Sequence, residues 1–412
     1  MHLTVEEQRM LNGEHGEVVQ KMMGLLVAMG EAFDATRMIP VNSVHVPAVA
    51  LSTLRRGGKK LIEDIADSGA RVKSFTTVNP SSIDDNQWQE LGISETDVLE
   101  QSKVTEAIRN IGAIPCYTCS PYLVGNLPRL GQHIAWGEAS AVVFANSVLG
   151  ARTNPEGGPS ALASALTGRT PLYGLHLGED RLGKVLVLVK AELKEVADYG
   201  TLGYWTGDVC KELVPVFVGI PPQVTMDELK MLSNGIACIC SPALFHAVGI
   251  TPEARSEEQA LGGQKAVEVL EFGEKELSET ILRLSRATTK DVSWVAFGCP
   301  HCSISEVREI ATLLDDKRVN SNVELWVCTS RPVKALSDRM GCTEVIERAK
   351  GRIVCETCPI VITREAIKKM GFQSIATNSS ALATYINSVP GIAPHFGRLK
   401  QCVDAAVSGA WW

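Results

Sequence analysis

Six of the twelve cysteines in this 412-residue chain fall into three C-x-x-C pairs: Cys116/Cys119 in PCYTCSPY, Cys299/Cys302 in FGCPHCS and Cys355/Cys358 in VCETCPIV. A C-x-x-C turn brings two thiols to one place, which suits a metal ion, an iron–sulfur cluster or a redox disulfide. Three such turns invite one shared centre. Structural zinc draws four ligands from two knuckles, usually close together in a small loop-rich module, whereas these pairs lie far apart. Dithiol redox chemistry would be satisfied by one pair, and pairs with no common site remain a further alternative. The favoured reading is a shared iron–sulfur cluster. Three thiolates on a cubane leave one iron open to act as a Lewis acid on a substrate hydroxyl and carboxylate, which is the requirement of metal-assisted dehydration. Cys238, Cys240 and Cys328 each sit in an apolar run and read as small buried hydrophobes.

Other residues could join such a site. Glu138 falls inside an otherwise apolar stretch, where a carboxylate is costly unless paired or used, so it is the better acid/base candidate. His301 lies between Cys299 and Cys302, and His176 follows YGL; a lone histidine is more often structural. The loop ARTNPEGGPS reads either as a turn between helices or as an anion cradle. In the second reading Gly157, Gly158 and Pro159 open a helix beside Arg152 and Asn154. Thr377-Asn-Ser-Ser380 sits at a strand-to-helix turn and reads as an N-cap or as a seat for a carboxylate or phosphate.

The chain is long enough for two or more domains, and 45% apolar with 21% charged residues is an ordinary globular mix. A net charge of −7 with no basic block argues against a nucleic-acid partner. The start, MHLTVEEQRM, does not read as a signal peptide. No apolar run reaches roughly 18 residues, so no membrane span is expected. The expected compartment is the reducing cytoplasm, where clustered cysteines bind metals or catalyse rather than form disulfides.

The elements that must carry these residues alternate. Thr4 and Glu7 have capping-box spacing, and residues 5–30 read as one long amphipathic helix. Met38–Val41 reads as a strand leading into NSVHV, 58–68 as a helix, Arg71–Val78 as a strand, 94–110 as a helix, and Ile114–Cys119 as a strand ending on the first cysteine pair. The apolar run 133–149 reads as one buried helix, 150–159 as loop and Ser160–Thr167 as helix. Val185–Val189 and Val214–Ile220 read as buried strands, with a helix over Thr225–Asn234. In the last third, strands at Val292–Gly298, Val323–Thr329, Arg352–Thr357 and Ser374–Thr377 alternate with helices at 303–315, 332–340, 363–370 and 380–388. That alternation predicts an α/β fold with mostly parallel sheets, and two cysteine pairs fall at strand carboxyl ends, where open sheets bind ligands. A boundary near 275–290 would divide an N-terminal α/β region, 1–280, from a C-terminal α/β domain, 281–412.

Several of these segments together resemble the aconitase X family, specifically its large subunit. They are TTVNP, IPCYTCSPYLVGNLPR, HIAWGEASAVVFANSVLGARTNPEGGPSALASALTGRTPLYGLH, DYGTLGYWTG, FGCPHCS, ETCPIV and ATNSS, spread over essentially the whole chain. The resemblance implies a multi-layer, aconitase-like large-subunit architecture and a hydro-lyase carrying an iron–sulfur centre, expected as [4Fe-4S] with one open iron. It implies that Cys119, Cys299 and Cys358 hold the cluster, with Cys116, Cys302 and Cys355 as neighbours. It also implies a small swivelling-domain partner supplying a catalytic serine. The chain ends at Trp412 without such a domain, so a separate small subunit and a heterodimer are expected.

Two substrate branches are implied. One dehydrates (R)-5-phosphomevalonate to trans-anhydromevalonate 5-phosphate in an archaeal mevalonate pathway to isoprenoids; the other dehydrates cis-3-hydroxy-L-proline. GARTNPEGGPSALA is closer to the first. Ala48, Val49, Ala50, Asn79, Pro80, Glu138 and Ala139 match the substrate wall, with Arg152 and Ser379 as outer members, and Glu138 and His301 as catalytic candidates. Two places depart from the family pattern: Ala48-Val49-Ala50 replaces G-V-S, and Ser380-Ala381 replaces a lysine-bearing turn. Together they remove a hydroxyl and a cation, and a charge-assisted hydrogen bond contributes about 1.5–3 kcal/mol, so substrate choice is where this chain is expected to differ. The non-enzymatic alternative is a metal-binding scaffold subunit.

Overall fold

The computed structural model describes residues 1–239 and 242–412. Cys240, expected to be a buried hydrophobe, lies outside the described residues; Cys238 and Cys328 are buried as expected.

Three parallel sheets carry the fold. The five-stranded sheet runs in the order Arg352–Cys355, Glu324–Thr329, Trp294–Phe297, Ser374–Thr377, Ala393–Phe396, with every pairing parallel. Its strands are continuously buried, as a sheet covered on both faces requires. The chain order reverses between Trp294–Phe297 and Ser374–Thr377, which opens a crevice beyond their carboxyl ends. A three-stranded parallel sheet, Phe75–Val78, Ser43–Val46, Ala135–Trp136, forms the core of the first third. A four-stranded parallel sheet runs His246–Ala247, Pro215–Val218, Val185–Val189, Glu268–Phe272. A short antiparallel pair, Met38–Pro40 with Arg169–Pro171, closes one edge of the first third.

Several expected elements differ in detail. The single helix over 5–30 is two helices, Val5–Leu11 and Glu17–Ala32. The chain breaks between them at Gly13 and Gly16, both at positive φ. The helix expected over 58–68 belongs to Leu51–Asp67, which is broken by a kink at Arg55 (φ 50°), so its continuous part starts just after that residue, near the expected position. Ile114–Cys119 is not a strand: Ile114 makes one bridge to Thr77, and an irregular loop follows. The run 133–149 is the strand Ala135–Trp136 followed by the helix Ala139–Ser147. Apolar continuity hid that break, which falls at Gly137. A Cβ there would stand 2.4 Å from the Glu156 carbonyl oxygen, so only glycine lets the turn close.

The helices Val196–Cys210 and Met226–Ala237 pack through glycine: a Cβ on Gly235 would meet the Gly200 carbonyl at 2.2 Å. This close approach brings the carboxyl end of the second helix toward the five-stranded sheet. Among the described residues, no helix is long and apolar enough to cross a membrane.

Candidate active site

The carboxyl ends of two sheets open into one cavity of about 300 Å³. From the three-stranded sheet, each strand ends in a turn that reaches the cavity wall. Ser43–Val46 delivers Pro47 and Ala48, Phe75–Val78 delivers Asn79 and Pro80, and Ala135–Trp136 delivers Gly137, Glu138 and Ala139. From the five-stranded sheet, Trp294–Phe297 delivers Cys299 and His301, and Arg352–Cys355 delivers Cys358. The loop after Ile114 adds Cys119. One cysteine of each pair therefore reaches the wall.

The remaining cysteine of each pair is turned away. Cys302 is 3% exposed within the apolar core under the sheet, and Cys355, 1% exposed, is the last residue of its strand. The Cys116 thiol donates to the Val78 carbonyl at 3.5 Å. The turn before Cys299 depends on Gly298, at φ +99°, where a Cβ would stand 2.1 Å from the Cys328 carbonyl oxygen.

All three wall thiols are pushed up in pKa. Cys299 is raised well above the ordinary thiol value by burial, then by the charges of Cys358 and Cys119. Cys119 is raised by burial and then by Glu138, and the His301 backbone N–H, which donates to its sulfur at 3.1 Å, works against this. Cys358 is pushed up to about 11, chiefly by burial. Thiols so placed ionise when a cation compensates them, which is the behaviour of cluster ligands. Among the described residues, no group of three His, Cys, Asp or Glu side chains is placed to hold a single metal ion. A cubane is several atoms across and sets its thiolates farther apart than one ion does, so three thiols around a shared cavity suit a cluster.

Glu138 precedes the helix Ala139–Ser147 and borders the cavity. Burial raises its carboxyl above the ordinary range, while the Asn79 side chain, donating from Nδ2 to Oε2 at 2.7 Å, pulls it back. The Ala139–Ser147 helix has no side-chain cap, which leaves its first backbone N–H groups without one, and Ala139 and Ser140 at its start border the cavity. His301 is neutral, its pKa lowered to about 4 by burial. Its two ring nitrogens sit 3.2 Å from Thr118 Oγ1 and 3.2 Å from the Thr357 carbonyl. The ring thus ties together the residues beside Cys119 and Cys358.

Four expected wall residues lie elsewhere. Val49 and Ala50 turn into the core; the Val49 N–H donates to the Asn79 carbonyl at 3.2 Å, and Gln101 donates to the Val49 carbonyl. Arg152 donates to the His176 carbonyl at 3.0 Å and stands 3.9 Å from Glu253, away from the cavity wall. Ser379 accepts the Leu382 N–H as the cap of the helix Ser380–Tyr385, and its hydroxyl donates to the Cys299 carbonyl, so it braces that cysteine from behind. The expected anion cradle does not form around Arg152 and Asn154. Asn154 is engaged with Tyr173 and Leu175, while Gly158 and Pro159 border a neighbouring apolar cavity of about 250 Å³. His176 is 1% exposed and pairs with His133, Nδ1 to Nδ1 at 3.0 Å.

Sequence reasoning missed Thr53, Asn234 and Tyr385 on the wall. It also missed Lys230, 1% exposed, whose ammonium pairs with Glu306 and donates to the His301 carbonyl at 3.3 Å. Only a cation inside an otherwise amphipathic helix could have signalled it.

Family models cover nearly the whole chain: aconitase X first domain over residues 1–179, second domain over 183–282 and third domain over 292–408. A phosphomevalonate dehydratase large subunit from Methanocaldococcus jannaschii is 39% identical over 97% of this chain and 99% of its own length. Another from Methanothermobacter thermautotrophicus is 40% identical over 95% of each. A cis-3-hydroxy-L-proline dehydratase from Pseudomonas aeruginosa is 35% identical over 98% of this chain and 69% of its own length. The crystal structure of Thermococcus kodakaraensis aconitase X in its holo form superposes with a TM-score of 0.88 at 39% identity, covering 98% of this chain and 100% of the other. With all three of its domains matched and its fold shared from end to end, the chain belongs to the aconitase X family.

Proposed function

We propose that this chain is the large subunit of a hydro-lyase that dehydrates a small hydroxy acid, with an iron–sulfur cluster held by Cys119, Cys299 and Cys358. The observation that carries the reading is that one cysteine from each of three distant pairs shares a single cavity wall with Glu138 and Asn79. When bound, a cluster with three thiolate ligands supplies an open iron as a Lewis acid for the leaving hydroxyl.

The chain's own residues do the rest of the work assigned to this subunit. Asn79 holds Glu138 Oε2 and leaves Oε1 for the reactant. The raised carboxyl keeps its proton to higher pH and donates it to the departing hydroxyl, which leaves as water. The uncapped N–H groups of Ala139 and Ser140 seat the substrate carboxylate, where the helix dipole favours an anion. His301 has both ring nitrogens engaged by protein atoms, so its part is to position the Cys119 and Cys358 segments rather than to carry a proton. Removal of the proton from carbon falls to a serine of a small partner subunit, in keeping with the large-subunit names of the relatives. All eleven described cysteines are free, and a reducing cytoplasm suits both those thiols and the cluster.

The substrate favoured by the relatives' names is (R)-5-phosphomevalonate, with trans-anhydromevalonate 5-phosphate as product. One observation favours cis-3-hydroxy-L-proline as a second reading: no Lys or Arg stands among the described residues of the cavity wall. A phosphate would then need its cation from the rim or from the small subunit.

The test is anaerobic co-purification with the small subunit, followed by assays of both substrates side by side. Brown protein that dehydrates one of them is the expected result. Colourless protein with stoichiometric zinc and no turnover would overturn the reading in favour of a metal-binding scaffold.

A further inference from the structure

Behind Glu138 a line of buried polar side chains runs back into the three-stranded sheet. His45, on the strand Ser43–Val46, has no exposed surface, and its Nδ1 stands 2.8 Å from Thr77 Oγ1. Asn126 Nδ2 donates to the same Thr77 oxygen at 2.8 Å and to the Val44 carbonyl at 3.1 Å. Two buried polar atoms along this line lack a partner, His45 Nε2 and Asn79 Oδ1. The Asn79 side chain nevertheless lies close enough to the ring to bear on its protonation, as do the Thr118 and Thr77 backbones.

Donor counting selects the tautomer. Thr77 has one hydroxyl proton, and its oxygen already accepts from Asn126. Two acceptors compete for that proton: His45 Nδ1 at 2.8 Å, and the Val44 carbonyl at 3.4 Å, which already takes the Asn126 amide. The shorter and unshared partner wins, so Nδ1 accepts. A neutral ring that accepts at Nδ1 carries its proton at Nε2. The unpaired donor Nε2–H and the unpaired acceptor Asn79 Oδ1 are then complementary, and one hydrogen bond satisfies both in a dry interior.

We propose that His45 is a positioning residue for Glu138. Its Nε2–H holds Asn79 Oδ1, which turns the amide so that Nδ2 grips Glu138 Oε2 and Oε1 faces the reactant. Asn126, Thr77, His45 and Asn79 each donate to the next, and the line ends on the carboxyl group. With the other tautomer, the Asn79 amide could flip and present an oxygen to a carboxylate oxygen. The inference rests on the reading of Glu138 as the proton donor.

The experiment uses the two-subunit complex with His45→Leu, which removes the ring donor, and His45→Gln, whose amide nitrogen can replace it. Kinetics are read on whichever of phosphomevalonate and cis-3-hydroxyproline the parent dehydrates. His45→Leu lowers kcat by about tenfold or more with little change in KM, because a positioned proton donor contributes to the transition state rather than to binding. His45→Gln recovers most of the loss, and both variants keep the visible absorption of the cluster. An unchanged kcat in His45→Leu, or a loss that His45→Gln does not recover, overturns the proposal. A second readout is independent of turnover: nitrogen NMR of the full chain labelled in histidine, with the His45 signal identified by its absence in His45→Leu. A proton on Nε2 is expected, and a proton on Nδ1 overturns the proposal even where the parent dehydrates neither substrate.

Discussion

The His301 backbone N–H donates to the Cys119 sulfur at 3.1 Å, joining residues 182 positions apart. A sulfur that accepts an N–H is better suited to carry charge, and the donor comes from the loop that also presents Cys299. Single changes Cys119→Ala, Cys299→Ala and Cys358→Ala are each expected to abolish the brown colour and the iron content of anaerobically purified protein. Cys116→Ser and Cys302→Ala should retain both. Iron retained at full stoichiometry in Cys358→Ala would remove the assignment.

Glu138→Gln keeps the shape of the side chain and its contact with Asn79 but cannot give up a proton in the same way. A general acid contributes about 10²–10⁴-fold, so kcat should fall within that range while KM and the visible absorption change little. A fall confined to KM would mean that Glu138 binds the substrate and does no proton transfer.

Lys230 is 1% exposed and is paired with Glu306, with Asp227 Oδ1 at 3.4 Å. Lys230→Met leaves the Glu306 carboxylate without its buried partner, a loss of about 3–5 kcal/mol for ion pairs of this kind. Denaturant unfolding should show that loss, and Lys230→Met combined with Glu306→Leu should recover part of it. A loss below about 1 kcal/mol would place the pair among those that contribute little.

Ala48 occupies the left-handed region at φ 63°, on the cavity wall. A β-branched residue there is strained by about 1–3 kcal/mol, so Ala48→Val should lower the thermal midpoint, whereas Ala48→Gly should not. Ala48→Gly also restores one of the family residues, so its effect on the ratio of activities toward the two substrates reports whether this turn sets specificity.

Burial lowers the pKa of His176 from 6.5 to about 3, with the neighbouring His133 and two arginines adding to the effect. Acid therefore protonates this ring in the unfolded chain first, and stability falls as pH drops from about 6.5 toward 3. His176→Gln lacks that share of the loss. The variant should be less stable at pH 7, where it has lost the His133 contact, and the gap in thermal midpoint should narrow on acidification. A gap that widens would show that the ring is charged in the fold.

Local pattern in the chain was enough to determine the α/β class and the strands Val185–Val189 and Ser374–Thr377, and to single out three cysteine pairs and a carboxylate in an apolar run as candidates. These follow from periodicity and composition, which need only near neighbours. The family pattern also named one cysteine of each pair, but C-x-x-C spacing by itself could not, because both thiols lie within one turn. Which of them faces the cavity depends on how each strand end is rotated by its sheet: Cys302 and Cys355 go to the core, and Cys299 and Cys358 to the opening. The same applies to Arg152, which reads as an anion ligand in its loop but is taken by the His176 carbonyl, and to Lys230, which acquires a purpose only when its helix docks beside His301. Convergence of two sheets on one cavity is a long-range packing event, and no window of sequence contains both halves of it.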